Sequence, residues 1–185
     1  MGFSLAKAAV DESAIVTLIS GPVTLETPER VKRIDIESAE EMKEHVTANL
    51  SDIDLFISTA AVADFKMKNA EPQKIKKDQS KNMSLSLEKN EDILKHVSDN
   101  NPDLKIVGFA AETENMIDNA RKKLSSKNLN LIVANDVSDS SIGFDSNNNE
   151  VTLITEKEEL KIPKTSKEKV ARKIVQFISK NILND

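Results

Sequence analysis

Hydrophobic and polar residues follow one another along the chain in blocks that predict alternating strands and helices. The β-branched run Ile15 to Ile19 ends at a Ser-Gly-Pro breaker and predicts a buried strand. Val31 to Ile36 and Ile53 to Ser58 predict two more strands. Between these two, Ser38 is placed to cap a helix whose apolar face carries Ala39, Met42, Val46 and Leu50. This βαβ order predicts a parallel, doubly wound sheet with right-handed crossovers.

The second half of the chain continues the alternation. Its predicted strands are Lys105 to Ala110, Leu129 to Ala134, and a terminal hairpin of Val151 to Thr155 with Leu160 to Ile162. Its predicted helices run from the cap Asn90-Glu91-Asp92 to about Asp99, from Thr113 to about Lys127, and from Thr165 to Asn181. The alternating segment Asn82 to Lys89 could pair with Gln73 to Lys76 as an extra hairpin.

The first ten residues, Met1 to Val10, have a helical apolar pattern that no upstream residue caps. A helix that opens with Gly and leads into a strand is typical of the second half of a βαβ nucleotide-binding unit. The first strand and the glycine-rich turn of such a unit would precede Met1. We therefore expect one Rossmann-like α/β domain over residues 1–185, with that strand and phosphate loop absent, and with an extra hairpin and a C-terminal helix.

Composition narrows the class of protein. The chain has 185 residues, of which 38% are hydrophobic and 31% charged, and no apolar run approaches the ~20 residues of a membrane span. It has no cysteine and no secretory signal at its start, which favours the cytoplasm. A net charge of -5 and the absence of Trp and Tyr argue against nucleic-acid binding.

The sequence lacks the residue patterns that several classes of catalytic or cofactor site require. His45 and His96 each stand alone on a predicted helix, without a second ligand at zinc-binding spacing, so no metal site is assigned. No G-x-S-x-G nucleophile elbow occurs. The four glycines of the chain cannot form G-x-G-x-x-G, which disfavours a dinucleotide-binding oxidoreductase module but leaves it open as an alternative.

Small or polar residues follow three of the predicted strands. These are Ser58 to Ala61, Gly108 to Glu112, and Ala134 to Asp136, which would lie side by side at the carboxyl edge of the sheet, where ligands bind in such folds. Lysines at 74, 76, 77, 123 and 127 could concentrate positive charge there, and the last two are neighbours on one helix face. The alternative is an ordinary solvated charge run.

Seven motifs, in order and with matching spacing, resemble those of phosphopantothenoylcysteine synthetase, the phosphopantothenate-cysteine ligase of coenzyme A biosynthesis. They are SGPV (20–23), AAVADF (60–65), KIKK (74–77), KNEDIL (89–94), GFAAET (108–113), KNLNLIVANDV (127–137) and GFDSNNN (143–149). In bacteria this enzyme is often the C-terminal half of a bifunctional decarboxylase/synthetase flavoprotein. The resemblance covers essentially the whole chain.

The resemblance implies a reaction. Bacterial members use CTP and Mg²⁺ to join 4'-phosphopantothenate to L-cysteine through an acyl-cytidylate. Mg²⁺ would be held mainly by the phosphates of CTP, and FMN would be present only if a decarboxylase domain preceded this chain in the full-length protein. Relatives are dimers, and the alternating segment Met83 to Leu87 is our candidate interface.

The resemblance also implies site residues. Lys74 matches the catalytic lysine that stabilises charge during acyl-cytidylate chemistry. The implied nucleotide-binding residues are Ser58, Thr59, Ala60, Asp64, Lys74, Glu91, Asp92, Ile93, Leu94, Phe109, Lys123 and Lys127. Glu91 departs from the family, which often has Pro there, and a helix N1 position tolerates either residue.

The larger departure concerns the start of the chain. The family has a strand and a glycine-rich segment ending in Ser-Ser-Gly-Lys before the counterpart of Met1, together with an Asn that helps to bind the acyl-cytidylate. A second alternative is therefore a non-catalytic fragment that binds nucleotide or dimerises without turnover.

Overall fold

The computed structural model describes residues 1–69, 73, 84–112, 114–136 and 146–183. The helices in these residues are α1 (Gly2–Asp11), α2 (Ala39–Ala48), α3 (Ile93–Asn100), α4 (Met116–Ser126) and α5 (Lys167–Ile178), the last followed by a π-helical turn (Ser179–Leu183). The strands are β1 (Val16–Ser20), β2 (Val31–Asp35), β3 (Leu55–Ser58), β4 (Phe65–Met67), β5 (Leu87–Lys89), β6 (Lys105–Glu112), β7 (Leu131–Asp136), β8 (Asn148–Ile154) and β9 (Glu159–Ser166).

The largest sheet has the strand order β3-β6-β7-β8-β9. Its first three strands are parallel, and β8 and β9 add an antiparallel hairpin. Ser58 pairs with Gly108 and Glu112 pairs with Asp136, so the carboxyl ends of β3, β6 and β7 are neighbours. The α/β class, the parallel strands and the adjacent strand ends are therefore confirmed.

Strands β1 and β2 form a separate parallel pair rather than the continuation of this sheet. The prediction of a buried strand from Ile15 to Ile19 is wrong in part, because Ile15 precedes β1 and is fully exposed, and Thr17 is exposed within it. All four residues of β3 are only half-buried. The exposure of residues in β1 and in β3 has the same physical reason. Within the described residues, each of these two strands pairs with another strand along one edge only.

Two apolar layers cover the faces of the large sheet. Helices α1 and α5 pack on one face, where Leu5 and Ile174 share a cluster with Leu131. Helices α2, α3 and α4 pack on the other face, where Val97 and Leu124 belong to a second cluster. Helices on both faces are the arrangement expected of a doubly wound sheet.

Local sequence explains where three helices begin. Ser38 Oγ accepts a hydrogen bond from the backbone N–H of Glu41 at 3.1 Å, as predicted. Asp92 is the residue of the predicted Asn-Glu-Asp cap that caps α3. Ser166 caps α5, which starts two residues later than predicted because β9 runs on to Ser166. Each cap supplies an acceptor for a helical N–H that has no partner within its helix.

The extra hairpin differs from its prediction in the pairing partner. Strand β5 pairs with β4 (Phe65–Met67), whereas the predicted partner was Gln73 to Lys76, of which residues 74–76 lie outside the described residues. Lys66 forms ion pairs with Glu40 of α2 and with Glu88 of β5. The polar face of the β4–β5 pair is thereby attached to α2.

Candidate functional site

The N-terminus of α1 reaches the carboxyl edge of the sheet directly beside β3. A Cβ atom built on Gly2 would lie 2.9 Å from Thr59 Oγ1, so backbone and side chain meet there without room for a larger residue. The first N–H groups of a helix have no partner within the helix and carry partial positive charge. Ser58 and Thr59, both predicted nucleotide-binding residues, are therefore adjacent to a helix N-terminus.

The loop after β3 is held by one residue that sequence reasoning did not select. The backbone N–H of Asn90 donates to the carbonyl of Asp64, and its side-chain amide donates to the carbonyl of Ala63, both at 2.8 Å. Ala60 and Asp64 are exposed in this loop, with no bulky side chain between them and solvent. Asn90 was predicted only as part of a helix cap, and no sequence signal distinguished its second role.

Asp92 connects the start of α3 to the end of α4. Its Oδ1 accepts the capping hydrogen bond from the N–H of Lys95 at 3.0 Å, and its Oδ2 lies 2.7 Å from Lys127 Nζ. Partial burial opposes ionisation of this carboxyl, but the hydrogen bonds from Lys127 and from the Lys95 backbone outweigh it and lower the pKa of Asp92. Two predicted site residues, Asp92 and Lys127, are thus in direct contact.

Lys123 forms a separate ion pair with a second carboxylate. Its Nζ lies 2.6 Å from Oε1 of Glu112, the last residue of β6. The other oxygen of Glu112 accepts from the side-chain amide of Asn119 at 3.3 Å. Glu112 is only 15% exposed, compared with 46% for Lys123, so the carboxylate is the fixed partner. Sequence analysis quoted Glu112 in the GFAAET motif without giving it a role.

The apolar residues of the predicted site lie on both faces of the sheet. Ile93 and Leu94 pack in the cluster beneath α3 and α4, and Leu94 Cδ2 would lie 3.2 Å from a Cβ atom built on Gly108. Phe109 packs against the opposite cluster, with α1 and α5. The structure therefore brings Ile93 and Leu94 together and separates them from Phe109, which a ligand could reach only across the strand ends.

Glu91 forms contacts with one residue of α2 and one of α3. Its carboxylate contacts Lys43 Nζ of α2 at 2.5 Å and His96 Nδ1 at 2.9 Å. The hydrogen bond from Lys43 is the main reason that the pKa of Glu91 is lowered. These three residues line an open cleft of about 740 Å³ between α2 and the β4–β5 pair. Glu91 thus adjoins the predicted site through both chain neighbours, Asp92 and Asn90, the second of which donates to the carbonyl of Asp64.

The predicted catalytic residue, Lys74, lies outside the described residues, as do Lys76 and Lys77. Among the residues that are described, no group of three His, Cys, Asp or Glu side chains is placed to hold a metal ion. No helix in the described ranges is long and apolar enough to cross a membrane.

Comparison with known proteins identifies the family. Residues 1–182 match the DNA/pantothenate metabolism flavoprotein C-terminal domain. The chain belongs to this family. The coenzyme A biosynthesis bifunctional protein CoaBC of Vibrio vulnificus is 46% identical over 182 residues, which are 96% of this chain and 45% of that protein. CoaBC of Bacillus subtilis is 43% identical over 181 residues, which are 97% of this chain and 44% of that protein.

A solved structure extends the comparison to three dimensions. The crystal structure of the C-terminal domain of a CoaBC protein superposes with a TM-score of 0.83 at 35% identity, covering 100% of this chain and 83% of that one. These matches confirm the resemblance to the synthetase domain and the Rossmann-like fold of the flavoprotein C-terminal domain. The chain spans less than half the length of the curated relatives that it matches.

Proposed function

We propose that this flavoprotein C-terminal domain carries the phosphopantothenate-cysteine ligase chemistry of coenzyme A biosynthesis, with CTP as the activating nucleotide. Family membership supports the ligase class. One structural observation carries the choice of site: Lys123 is paired with Glu112 at the carboxyl end of β6, and Lys127 is paired with Asp92 at the N-terminus of α3. Such an arrangement offers cationic and N–H donors to a polyphosphate.

The reaction would have two steps. An oxygen of the 4'-phosphopantothenate carboxylate attacks the α-phosphorus of CTP, which breaks the bond to the β-phosphate and releases pyrophosphate. The cysteine nitrogen then attacks the carbonyl carbon of the acyl-cytidylate, which breaks its bond to CMP as the nitrogen loses a proton. Activation is needed because a carboxylate is a poor electrophile, and charge neutralisation accelerates transfer at phosphorus.

Each residue would have a defined part. The backbone at Ser58 to Ala60 would contact the nucleotide, and the side chain of Asp64 would accept a hydrogen bond from it. Lys123 and Lys127 would exchange their carboxylate partners for phosphate oxygens. We retain Lys74 as the residue that stabilises charge during acyl-cytidylate formation. A Mg²⁺ ion would be held mainly by phosphate oxygens of CTP, since the described residues include no group of three His, Cys, Asp or Glu side chains placed to hold it.

Calorimetric titration of the purified chain with Mg-CTP and with Mg-ATP tests this proposal. We expect preference for CTP, and weaker binding by about tenfold in the Lys74→Ala and Lys123→Ala variants. Lys95→Ala is the matched control, since Lys95 also forms an exposed ion pair, which in the described structure joins it to Asp99 of its own helix. Circular dichroism on the same samples verifies that each variant is folded.

Two results would contradict the proposal. Folded protein that binds neither nucleotide would identify the chain as a non-catalytic fragment of the ligase fold. Binding of NAD(P) with no response to CTP would instead favour an oxidoreductase module. Product formation, measured separately with phosphopantothenate and cysteine, decides whether binding leads to turnover in this chain.

We further propose that the domain forms a homodimer in the cytoplasm through the apolar face of the β4–β5 pair. Phe65, Met67, Leu85 and Leu87 are 42% to 58% exposed in the described structure. Exposed apolar patches of this kind commonly mark protein interfaces.

A further inference from the structure

The segment from Asn90 to Leu94 connects β5 to α3 and carries polar contacts on which the candidate site depends. The backbone N–H of Asn90 donates to the carbonyl of Asp64 in the loop after β3. Two residues later, Asp92 pairs with Lys127 at the C-terminal end of α4. A displacement of this segment would therefore disturb both the loop after β3 and the position of Lys127.

Glu91 lies between these two contacts and joins the segment to a second helix. It belongs neither to β5 nor to α3, so it is not held in place by a regular element. Its carboxylate contacts His96 Nδ1 at 2.9 Å and Lys43 Nζ at 2.5 Å. His96 lies on α3, the helix that the segment itself begins, whereas Lys43 lies on α2 and is 48 residues away in the chain. Of these two contacts, the one with Lys43 therefore attaches the segment to another element.

Helix α2 is packed against the structure on both sides of this contact. Its residue Val46 is buried in the same apolar cluster as Ile93, the first residue of α3. Glu40 lies three residues before Lys43, hence on the same helix face, and forms an ion pair with Lys66 of β4. Strand β4 pairs with β5, which leads directly into the segment. One face of α2 thus holds both the hairpin before the segment and the segment itself.

The charges around Lys43 favour its pairing with Glu91. The carboxylate one turn earlier on α2, that of Glu40, is already engaged by Lys66. The hydrogen bond from Lys43 is the largest cause that lowers the pKa of Glu91, and the charges of Lys43 and His96 act in the same direction. Glu91 is therefore ionised at neutral pH, and its contact with Lys43 is an ion pair. Exposed ion pairs contribute modestly and are screened by salt, so we expect effects of a few-fold.

We propose that Lys43 is a positioning residue of the nucleotide site and that it acts through Glu91. The ion pair fixes the segment, so that Asn90 keeps its hydrogen bond to the loop after β3 and Asp92 stays beside Lys127. Glu91 then serves as the attachment point of the segment and not as a direct contact to the nucleotide. This inference rests on the proposed nucleotide binding, and one part of its test uses no nucleotide.

Calorimetric titration of the full chain with Mg-CTP compares Lys43→Met, Glu91→Gln and the double variant. Each single variant should bind about two- to fivefold more weakly, which is the effect of losing one exposed ion pair. The double variant should bind no more weakly than either single variant, because all three lack the same contact. Lys43→Arg should bind like the native chain, since it keeps the charge. Lys161→Met is the matched control, because it removes an ion pair with Glu150 on the edge of the sheet opposite β3.

Hydrogen exchange of the Asn90 amide, followed by NMR without nucleotide, measures directly how firmly the segment is held. We expect exchange to be faster by about twofold or more in Lys43→Met than in the native chain, with the amides of β7 unchanged.

The two measurements together decide the inference. In a chain that binds CTP, faster exchange and weaker, non-additive binding must both occur, and either change without the other, or additive losses of affinity, would overturn the role of Lys43. In a chain that binds no CTP, faster exchange would refute the proposed function and leave the link between α2 and the segment standing. Unchanged exchange in such a chain would refute both.

Discussion

At Gly108, β6 passes close to Leu94 of α3 and to Leu129, which follows α4. A Cβ atom at this position would lie 2.8 Å from Leu129 Cδ1 and 3.2 Å from Leu94 Cδ2. Leu129 is buried and cannot move freely, whereas Leu94 is half-buried and adjoins the capping residues of α3. A methyl group at Gly108 would therefore be accommodated mainly by displacing Leu94.

We predict that Gly108→Ala lowers the free energy of unfolding by about 1 to 2 kcal/mol through overpacking. It should also weaken nucleotide binding, because Leu94 belongs to the proposed site. Urea denaturation and the calorimetric titration measure the two effects. Gly21→Ala is the control, since no described residue beyond its two chain neighbours has an atom within 4 Å of the Cβ it would add. Equal denaturation midpoints for the two variants would show that β6 tolerates the methyl group.

At the scale of a single element, α3 depends on Asp92 for two separable interactions. One is the hydrogen bond to the N–H of Lys95, and the other is the ion pair with Lys127 of the C-terminal end of α4. Asn at this position can still cap the helix but cannot form the ion pair, whereas Ala can do neither. Comparing the two substitutions therefore separates the contribution of the capping hydrogen bond to stability from that of the ion pair.

The direction in which the stabilisation by ionised Asp92 changes with pH follows from its pKa. Because the pKa of Asp92 is lowered in the folded state, its ionised form stabilises the protein above the unfolded pKa of about 3.9. The stabilisation is lost as pH falls through the folded value. We predict that Asp92→Asn is less stable than the native chain by about 0.5 kcal/mol at pH 6, and that this difference is smaller at pH 3.

Asp92→Ala should lose about 1 kcal/mol more at both pH values, because its cap is absent throughout. Urea midpoints at the two pH values measure this for all three proteins. A gap between the native chain and Asp92→Asn that stayed constant with pH would mean that the ion pair with Lys127 contributes nothing to stability.

The elements also show which features can be predicted from sequence. Helix starts at Ser38 and Asp92 depend on local hydrogen bonds, and the chain pattern located both. The partner of β5 depends on residues about twenty positions away, and the pattern did not identify it. The pairing of Lys123 with Glu112 was likewise missed, because a lysine–carboxylate contact between a helix and a strand end leaves no periodic signal.

At the scale of the whole molecule, the β4–β5 pair projects an apolar face that the described chain does not cover. Leu85 and Leu87 are 58% and 54% exposed, while the opposite face is attached to α2 through Lys66. If this face forms the homodimer interface, Leu85→Lys with Leu87→Lys should yield a monomer with an unchanged circular dichroism spectrum. Like charges facing each other across an apolar interface would be desolvated without partners.

Size-exclusion chromatography with light scattering measures the mass of each protein. Leu160→Lys is the matched control, because Leu160 is 46% exposed on β9, away from the β4–β5 pair. We expect the control to remain a dimer. An unchanged mass for the double variant, or a monomeric native chain, would exclude this interface.

The two lysine–carboxylate contacts of the proposed site affect how it distinguishes ligands that carry one negative charge from ligands that carry several. Lys123 and Lys127 are each neutralised before any ligand arrives, by Glu112 and Asp92 respectively. A ligand must therefore replace two resident counterions, and a singly charged anion cannot do so at both positions. Added salt would weaken the resident contacts along with the attraction for the ligand. The proposed site would therefore bind polyanions in preference to free phosphate. Its affinity for a polyanion would depend less on salt concentration than that of two lysines without carboxylate partners.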